Sequence, residues 1–151
     1  LVAGLAEEAA RHGYIVAAPD WCPEFRGPQQ FYDFTGKEHP HAVAVVRDVA
    51  RRFQVDADRV FPFGAVEGAN LALGLGLAHP DLFAGLCLMG GNPPQAVGVQ
   101  YWRNAQKLPT YVVVGELSGA FAAYRLLFEK WMPKGFPAVM AVYRGRGAEW
   151  Y

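Results

Sequence analysis

The stretch Val60-Phe61-Pro62-Phe63-Gly64-Ala65-Val66-Glu67-Gly68-Ala69-Asn70 reads as an apolar strand, a Gly-x-x-x-Gly turn and the start of a helix. Two glycines at that spacing permit a tight strand-to-helix turn. Such a turn lifts its middle side chain to the top of a sheet, the shape of a G-x-S-x-G nucleophile elbow. The middle residue here is Val66, which has no nucleophilic atom and no proton to lose.

Elements alternate on both sides of this turn. Upstream, apolar residues recur at helical spacing over residues 1–10, and Gly13 is placed to stop that helix. Residues 14–18 are a short apolar run between Gly13 and Pro19, which predicts a buried strand. Residues 19–38 are loop-like and rich in aromatic residues, Gly and Pro. Residues 39–53 predict a helix, with Pro40 in its first turn and one apolar face. Strand 59–65 and helix 67–78 form the unit quoted above. Downstream, strands are expected at 84–89, 110–114 and 137–143, with a short helix near 101–106 and a longer one at 120–131. Short apolar strands alternating with amphipathic helices imply βαβ units. The expected fold class is α/β: a doubly wound, mostly parallel sheet of about five strands with helices on both faces. Functional loops in such a fold lie at the carboxyl ends of the strands.

Composition excludes several classes. The chain has 151 residues, which suits one domain (1–151), and 52% of them are hydrophobic, enough for a core and too many for a disordered chain. Fourteen acidic and fourteen basic side chains cancel. No basic footprint for nucleic acid or polybasic patch for anionic lipid follows from that balance. No apolar run is long enough to span a bilayer. Residues 1–10 contain Glu7 and Glu8 and lack a basic leader, so they do not read as a signal peptide. Cys22 and Cys87 are too few for a disulfide framework and lack zinc spacing; a bridge between them is the less favoured reading. The compartment stays open.

Together these segments resemble the α/β-hydrolase superfamily, especially its bacterial carboxylesterase and peptidase-like members. The resemblance is carried by Gly13-Tyr14-Ile15-Val16-Ala17-Ala18-Pro19-Asp20, by Val55-Asp56-Ala57-Asp58-Arg59-Val60-Phe61, by the elbow, and by His79-Pro80-Asp81-Leu82-Phe83-Ala84-Gly85. Leu108-Pro109-Thr110-Tyr111-Val112-Val113-Val114-Gly115-Glu116-Leu117 and the terminal Tyr143-Arg144-Gly145-Arg146-Gly147-Ala148-Glu149-Trp150-Tyr151 complete it. The resemblance implies a serine at the elbow centre, an acid after the Val-Gly-Glu-Leu strand and a histidine in a Gly-His-Glu loop. This chain has Val66, Ser118 and Ala148 at those positions. It also implies that the family's N-terminal strands and last helix lie outside these residues. One consequence would be a strand missing between residues 14–18 and 59–65.

Acyl transfer at a serine needs an oxygen nucleophile, a base within hydrogen-bond reach and a group that holds the base. Ser118 is the only serine, and the four histidines, His12, His39, His41 and His79, all lie away from the base's position. No catalytic residues are therefore expected. Glu67, Trp21, Asn92, Glu116 and Glu149 are the candidate cleft-lining, ligand-binding residues. Glu67 also reads as a solvated first-turn acid that favours the helix dipole. His39 and His41, with Asp33 and Glu38 nearby, lack a third firm metal ligand and read as a surface helix start; neither a metal nor a cofactor is expected. Gly74-Leu75-Gly76 reads as a close-packing site in a helix, not a dinucleotide loop. Trp21, Phe25, Phe31, Tyr32 and Phe34 read as an aromatic loop over the sheet edge, or as a ligand groove. Arg144 and Arg146 read as exposed loop arginines.

The expectation is a catalytically inactive α/β-hydrolase-like domain with a structural, assembly or ligand-binding role. A protein partner or oligomer would complete its sheet, and a small-molecule ligand is compatible with its old cleft. The alternative is a carboxylesterase-type enzyme whose triad was altered, or one using a relocated site at Glu67, Glu116 or Glu149 with a bound water.

Overall fold

The computed structural model describes residues 2–20, 32, 37–93 and 101–149. They belong to two compact units: Leu1–Gln30 with Glu38–Val55, and Phe31–Lys37 with Asp56–Tyr151. Trp21, Cys22 and the aromatic residues Phe25, Phe31 and Phe34 lie outside the described residues, as does Asp33.

Among its described residues the first unit holds two helices, α1 (Val2–Arg11) and α2 (His39–Arg52). Helix α1 stops at Gly13, whose φ of 74° suits a residue without Cβ. Glu8 pairs with Arg11 at 3.0 Å and His12 at 3.2 Å, both on the exposed face. Helix α2 has Pro40 in its first turn and Arg51 and Arg52 in its last, where cations complement the helix dipole. His41 is exposed, but Glu38 and His39 are buried, so this is not simply a surface helix start. Among the described residues no group of three or more His, Cys, Asp or Glu side chains is placed to hold a metal ion.

The strand expected at 14–18 does not form; residues 14–20 are irregular. An apolar run becomes a strand only where a neighbouring ladder takes up its backbone groups. Among the described residues the sheet has four strands, within the expected mostly parallel α/β architecture.

The second unit runs β1 (Phe63–Ala65), α3 (Glu67–Ala78), β2 (Leu86–Met89), β3 (Thr110–Gly115), α4 (Gly119–Trp131) and β4 (Ala138–Tyr143). Its sheet is parallel throughout, in the order β1-β2-β3-β4. Strand β1 is shorter than the expected 59–65. The Asp56 side chain accepts from the Asp58 N–H at 3.0 Å and winds Ala57–Arg59 into a 3-10 turn. Pro62 has no N–H to give. The link still accepts ladder bonds, from Ala84 N–H to Val60 O (2.8 Å) and from Cys87 N–H to Pro62 O (3.0 Å).

Helix α3 is apolar all round and buried from Ala72 to Leu77, as a helix inside a core must be. It packs on β1 and β2, and α4 packs on β3. A Cβ at Gly74 would strike the Tyr32 ring and one at Gly76 the Leu86 side chain, so the small residues of this helix serve close packing. Helix α4 buries Ala120, Tyr124, Phe128 and Trp131 at i, i+4, i+8 and i+11. The sheet side bearing Leu86, Leu88, Val112 and Val114 is fully buried, while Phe63, Tyr111, Val139 and Tyr143 on alternate positions are exposed. Cys87 carries a free thiol in mid-strand, and burial pushes its pKa up.

Parallel register brings Ala65, Met89, Gly115 and Tyr143 to one end of the sheet. The loops that follow these residues build the site.

Candidate functional site

The turn after β1 is under steric and conformational constraint. Val66 donates its N–H to Met89 O at 2.9 Å, continuing the ladder for one residue. Its backbone then turns to φ 53°, ψ −116°. It is the only non-glycine with positive φ among the described residues. For a β-branched side chain this is strained backbone, costing about 1–3 kcal/mol. The glycines on either side have different duties. A Cβ on Gly64 would fall on the Gly68 carbonyl, so strand and helix backbones touch there. Gly68 itself has open space where its Cβ would be. Gly91 (φ 83°) is also tightly held, since an added Cβ would lie 2.9 Å from Ala69, Asn70 and Val66 atoms.

A cleft of about 370 Å³ opens at this end of the sheet. Val66, Ser118 and Ala148 all line it, although they come from three separate loops. Glu67, Asn92 and Glu149 line it as well. Glu116 does not: its Oε2 accepts from the Gly145 N–H at 3.0 Å. That bond, with Leu117 N–H to Arg146 O (2.8 Å), ties the loop after β3 to the loop carrying Ala148. Trp21 lies outside the described residues.

Several polar groups at the cleft are engaged within the fold. Glu67 is not a solvated acid: it is half-buried, with Oε1 accepting from Tyr32 N–H (2.6 Å) and Oε2 from Asn70 Nδ2 (3.1 Å). Asn70 Oδ1 in turn accepts from Asn92 N–H at 2.8 Å. Ser118 Oγ accepts from the Ala120 N–H at 3.2 Å and is the N-cap of α4. Glu149 pairs with Arg146 at 3.6 Å in an exposed position, where such pairs contribute little.

No known family profile matches the chain. One curated relative, "Putative esterase NocK" of Nocardia uniformis subsp. tsuyamanensis, is 32% identical over 108 residues, covering 60% of this chain and 30% of its own length. Solved structures resemble it more widely. A thermostable esterase matches 72% of this chain and 29% of its own at TM-score 0.64 and 18% identity. A single-substitution variant of Arabidopsis thaliana SOBER1 matches 80% of this chain and 60% of its own at 0.63 and 18%. A carboxylesterase from Mesorhizobium loti matches 76% and 54% at 0.58 and 19%. The chain thus spans only about a third of the first relatives' length.

The fold is a partial α/β-hydrolase fold.

Two residues that hold the cleft of this α/β-hydrolase fold escaped the sequence reading. Apart from Glu67 in its first turn, Asn70 is the one polar side chain of helix α3, a signal that was available. Tyr124 was not foreseeable, because its partner is 34 residues away: its hydroxyl donates to Gly90 O at 2.6 Å and anchors the loop after β2. Burial pushes the Tyr124 pKa above the ordinary tyrosine value of about 10. The folded state therefore keeps this proton at a pH where the unfolded chain releases it. Its stabilising share is complete below pH ~10 and is lost as pH rises above that. Tyr124→Phe is expected to cost about 1–3 kcal/mol at neutral pH by orphaning the Gly90 carbonyl. It should also flatten the fall in melting temperature above pH ~10. Thermal melts of both proteins from neutral to alkaline pH test this. A fall of equal slope in both would contradict it.

Proposed function

We propose that this domain is a catalytically inactive member of the α/β-hydrolase fold, one that uses its former active-site cleft for binding or its sheet edges for assembly. The observation that carries this reading is the chemistry of one cleft: Val66 at the strained turn, Ser118 after β3 and Ala148 after β4 line it together. None of the three is a nucleophile–base pair. Val66 has no attacking atom and Ala148 no proton acceptor. Ser118 Oγ is engaged in capping α4, and no histidine lines the cleft. Loss of the nucleophile or base of such a triad costs a factor on the order of a million in turnover.

A relocated carboxylate is the competing enzyme. Its leading candidate, Glu67, already holds Tyr32 N–H and Asn70 with its two oxygens. A water-activating base would have to give up one of those bonds. For assembly, β1 and β4 are the outer strands of the sheet among the described residues. The edge of a sheet can serve as a template for a strand of another chain.

The test uses short-chain nitrophenyl esters and a fluorophosphonate probe. No turnover above buffer and no labelling are expected. Labelling of Ser118, or turnover abolished by Glu67→Ala or Glu116→Ala, would overturn the inactive reading.

A further inference from the structure

Strand β4 is paired with β3 over all six of its residues, in the run Ala138-Val139-Met140-Ala141-Val142-Tyr143. Every one of them is apolar and none is buried. Val142 is 36% exposed on the side of the sheet that α3 and α4 cover, and Val139 is 60% exposed on the other. An outer strand is normally protected by shortness, charge, proline or a bulge. The opposite outer strand has such protection: β1 is three residues long and follows Pro62. Strand β4 has none. It holds no charge, proline or glycine, and it pairs with β3 residue for residue without a bulge.

The ladder fixes which way its backbone groups face. Thr110 N–H donates to Pro137 O at 2.9 Å, and Glu116 N–H donates to Tyr143 O at 3.0 Å. Odd-numbered residues of β4 therefore turn their backbone toward β3, and Met140 and Val142 turn theirs outward. Ala138 N–H is held by Phe136 O at 2.9 Å, which leaves its carbonyl outward. Among the described residues the outward groups of Met140 and Val142 have no partner. The nearest charged residues, Lys134 and Arg144, lie beyond the two ends of the strand.

We propose that β4 is the interface of a homodimer, in which a second copy of this chain adds its own β4 antiparallel, across a two-fold axis at Met140. The inference deepens the assembly role in the proposed function and rests on that part of it. In this register the outward groups of Met140 meet those of Met140 in the second copy, Ala138 lies opposite Val142, and Val139 lies opposite Ala141. Tyr143 of the second copy lies diagonal to Val139, a favourable aromatic and β-branched pair. Every cross-strand contact is apolar on apolar. The strand is complementary to itself, as a two-fold interface requires. Its six residues give about 20 Å of edge with side chains on both faces, roughly 400 Å² per copy. That size belongs to a weak dimer that forms and parts with concentration. Pairing occupies both β4 edges, so assembly stops at two chains.

Sedimentation of the purified chain is expected to show a monomer–dimer equilibrium with a Kd on the order of 10 µM. Met140→Pro removes an outward N–H and leaves the β3 ladder intact. It should keep the native circular dichroism and weaken the dimer about a hundredfold. Met140→Lys and Met140→Glu should each weaken it about tenfold, because like charges then face one another across the axis. An equimolar mixture of those two should dimerise at least as tightly as the wild type. If the proline variant loses its native dichroism, the mixture alone decides. A monomer at every concentration, growth beyond two chains, a dimer untouched by Met140→Pro in its native form, or no recovery in the mixture would overturn the proposal. Oligomeric state is read without any ester, so failure of the dimer is told apart from discovery of ester turnover.

Discussion

Gly64→Ala is expected to lower the stability of the domain by about 3–5 kcal/mol, enough to leave much of it unfolded at ordinary temperature. The added Cβ would fall on the carbonyl of Gly68. A flexible side chain could swing aside, but this obstacle is backbone, fixed in the first turn of a buried helix. Relief requires α3 to move off β1, and the packing of Ala69, Leu73 and Leu77 moves with it. Gly68→Ala is the matched control. Its Cβ meets nothing within 4 Å and its φ is not positive, so it should be neutral or gain up to about 1 kcal/mol by restricting the unfolded chain. Urea denaturation of both variants checks the pair. Equal midpoints would mean that the strand and helix do not approach closely at residue 64.

Val66→Gly should stabilise the domain by about 1–2 kcal/mol, a rise of about 3–8 °C in melting temperature for a chain of this size. The φ of 53° and ψ of −116° lie close to the first central position of a type II′ turn, where glycine is the usual residue. The valine is 64% exposed, so its removal forfeits little packing. Glycine recovers the backbone strain and gives back part of it as extra freedom in the unfolded chain. Val66→Ser is the informative companion, since it restores an oxygen while keeping the strain. It should show no rise in melting temperature, and with alanine at 148 it should show no ester turnover. A melting temperature for Val66→Gly at or below wild type would mean that the turn is not strained.

Much of this was legible without coordinates because it depends on local periodicity. The helix 67–78 is the sequence's own reading, and the strands at 84–89, 110–114 and 137–143 differ from the structure by a residue or two at their ends. Their apolar runs are bounded by Gly, Pro and Asp, whose backbone preferences act within a few residues. The run at 14–18 shows the limit of that logic. It has the same composition as a buried strand, yet whether it becomes one depends on a neighbour that no local pattern reveals. Strand β1 was shortened for a related reason, the competing Asp56 turn and the missing N–H of Pro62.

Residue identity alone determined what chemistry the turn lacks: Val66 has no nucleophile wherever it sits, and a single serine is countable from the chain. Only the tertiary structure decided the company it keeps. Convergence of residues 66, 118 and 148 on one cleft, the capture of Glu67 by a backbone amide 35 residues away, and the Tyr124 anchor on Gly90 each join segments remote in sequence. Such contacts follow from strand order and register. Those are settled by the packing of the whole sheet against its helices and leave no mark on any short stretch of the chain.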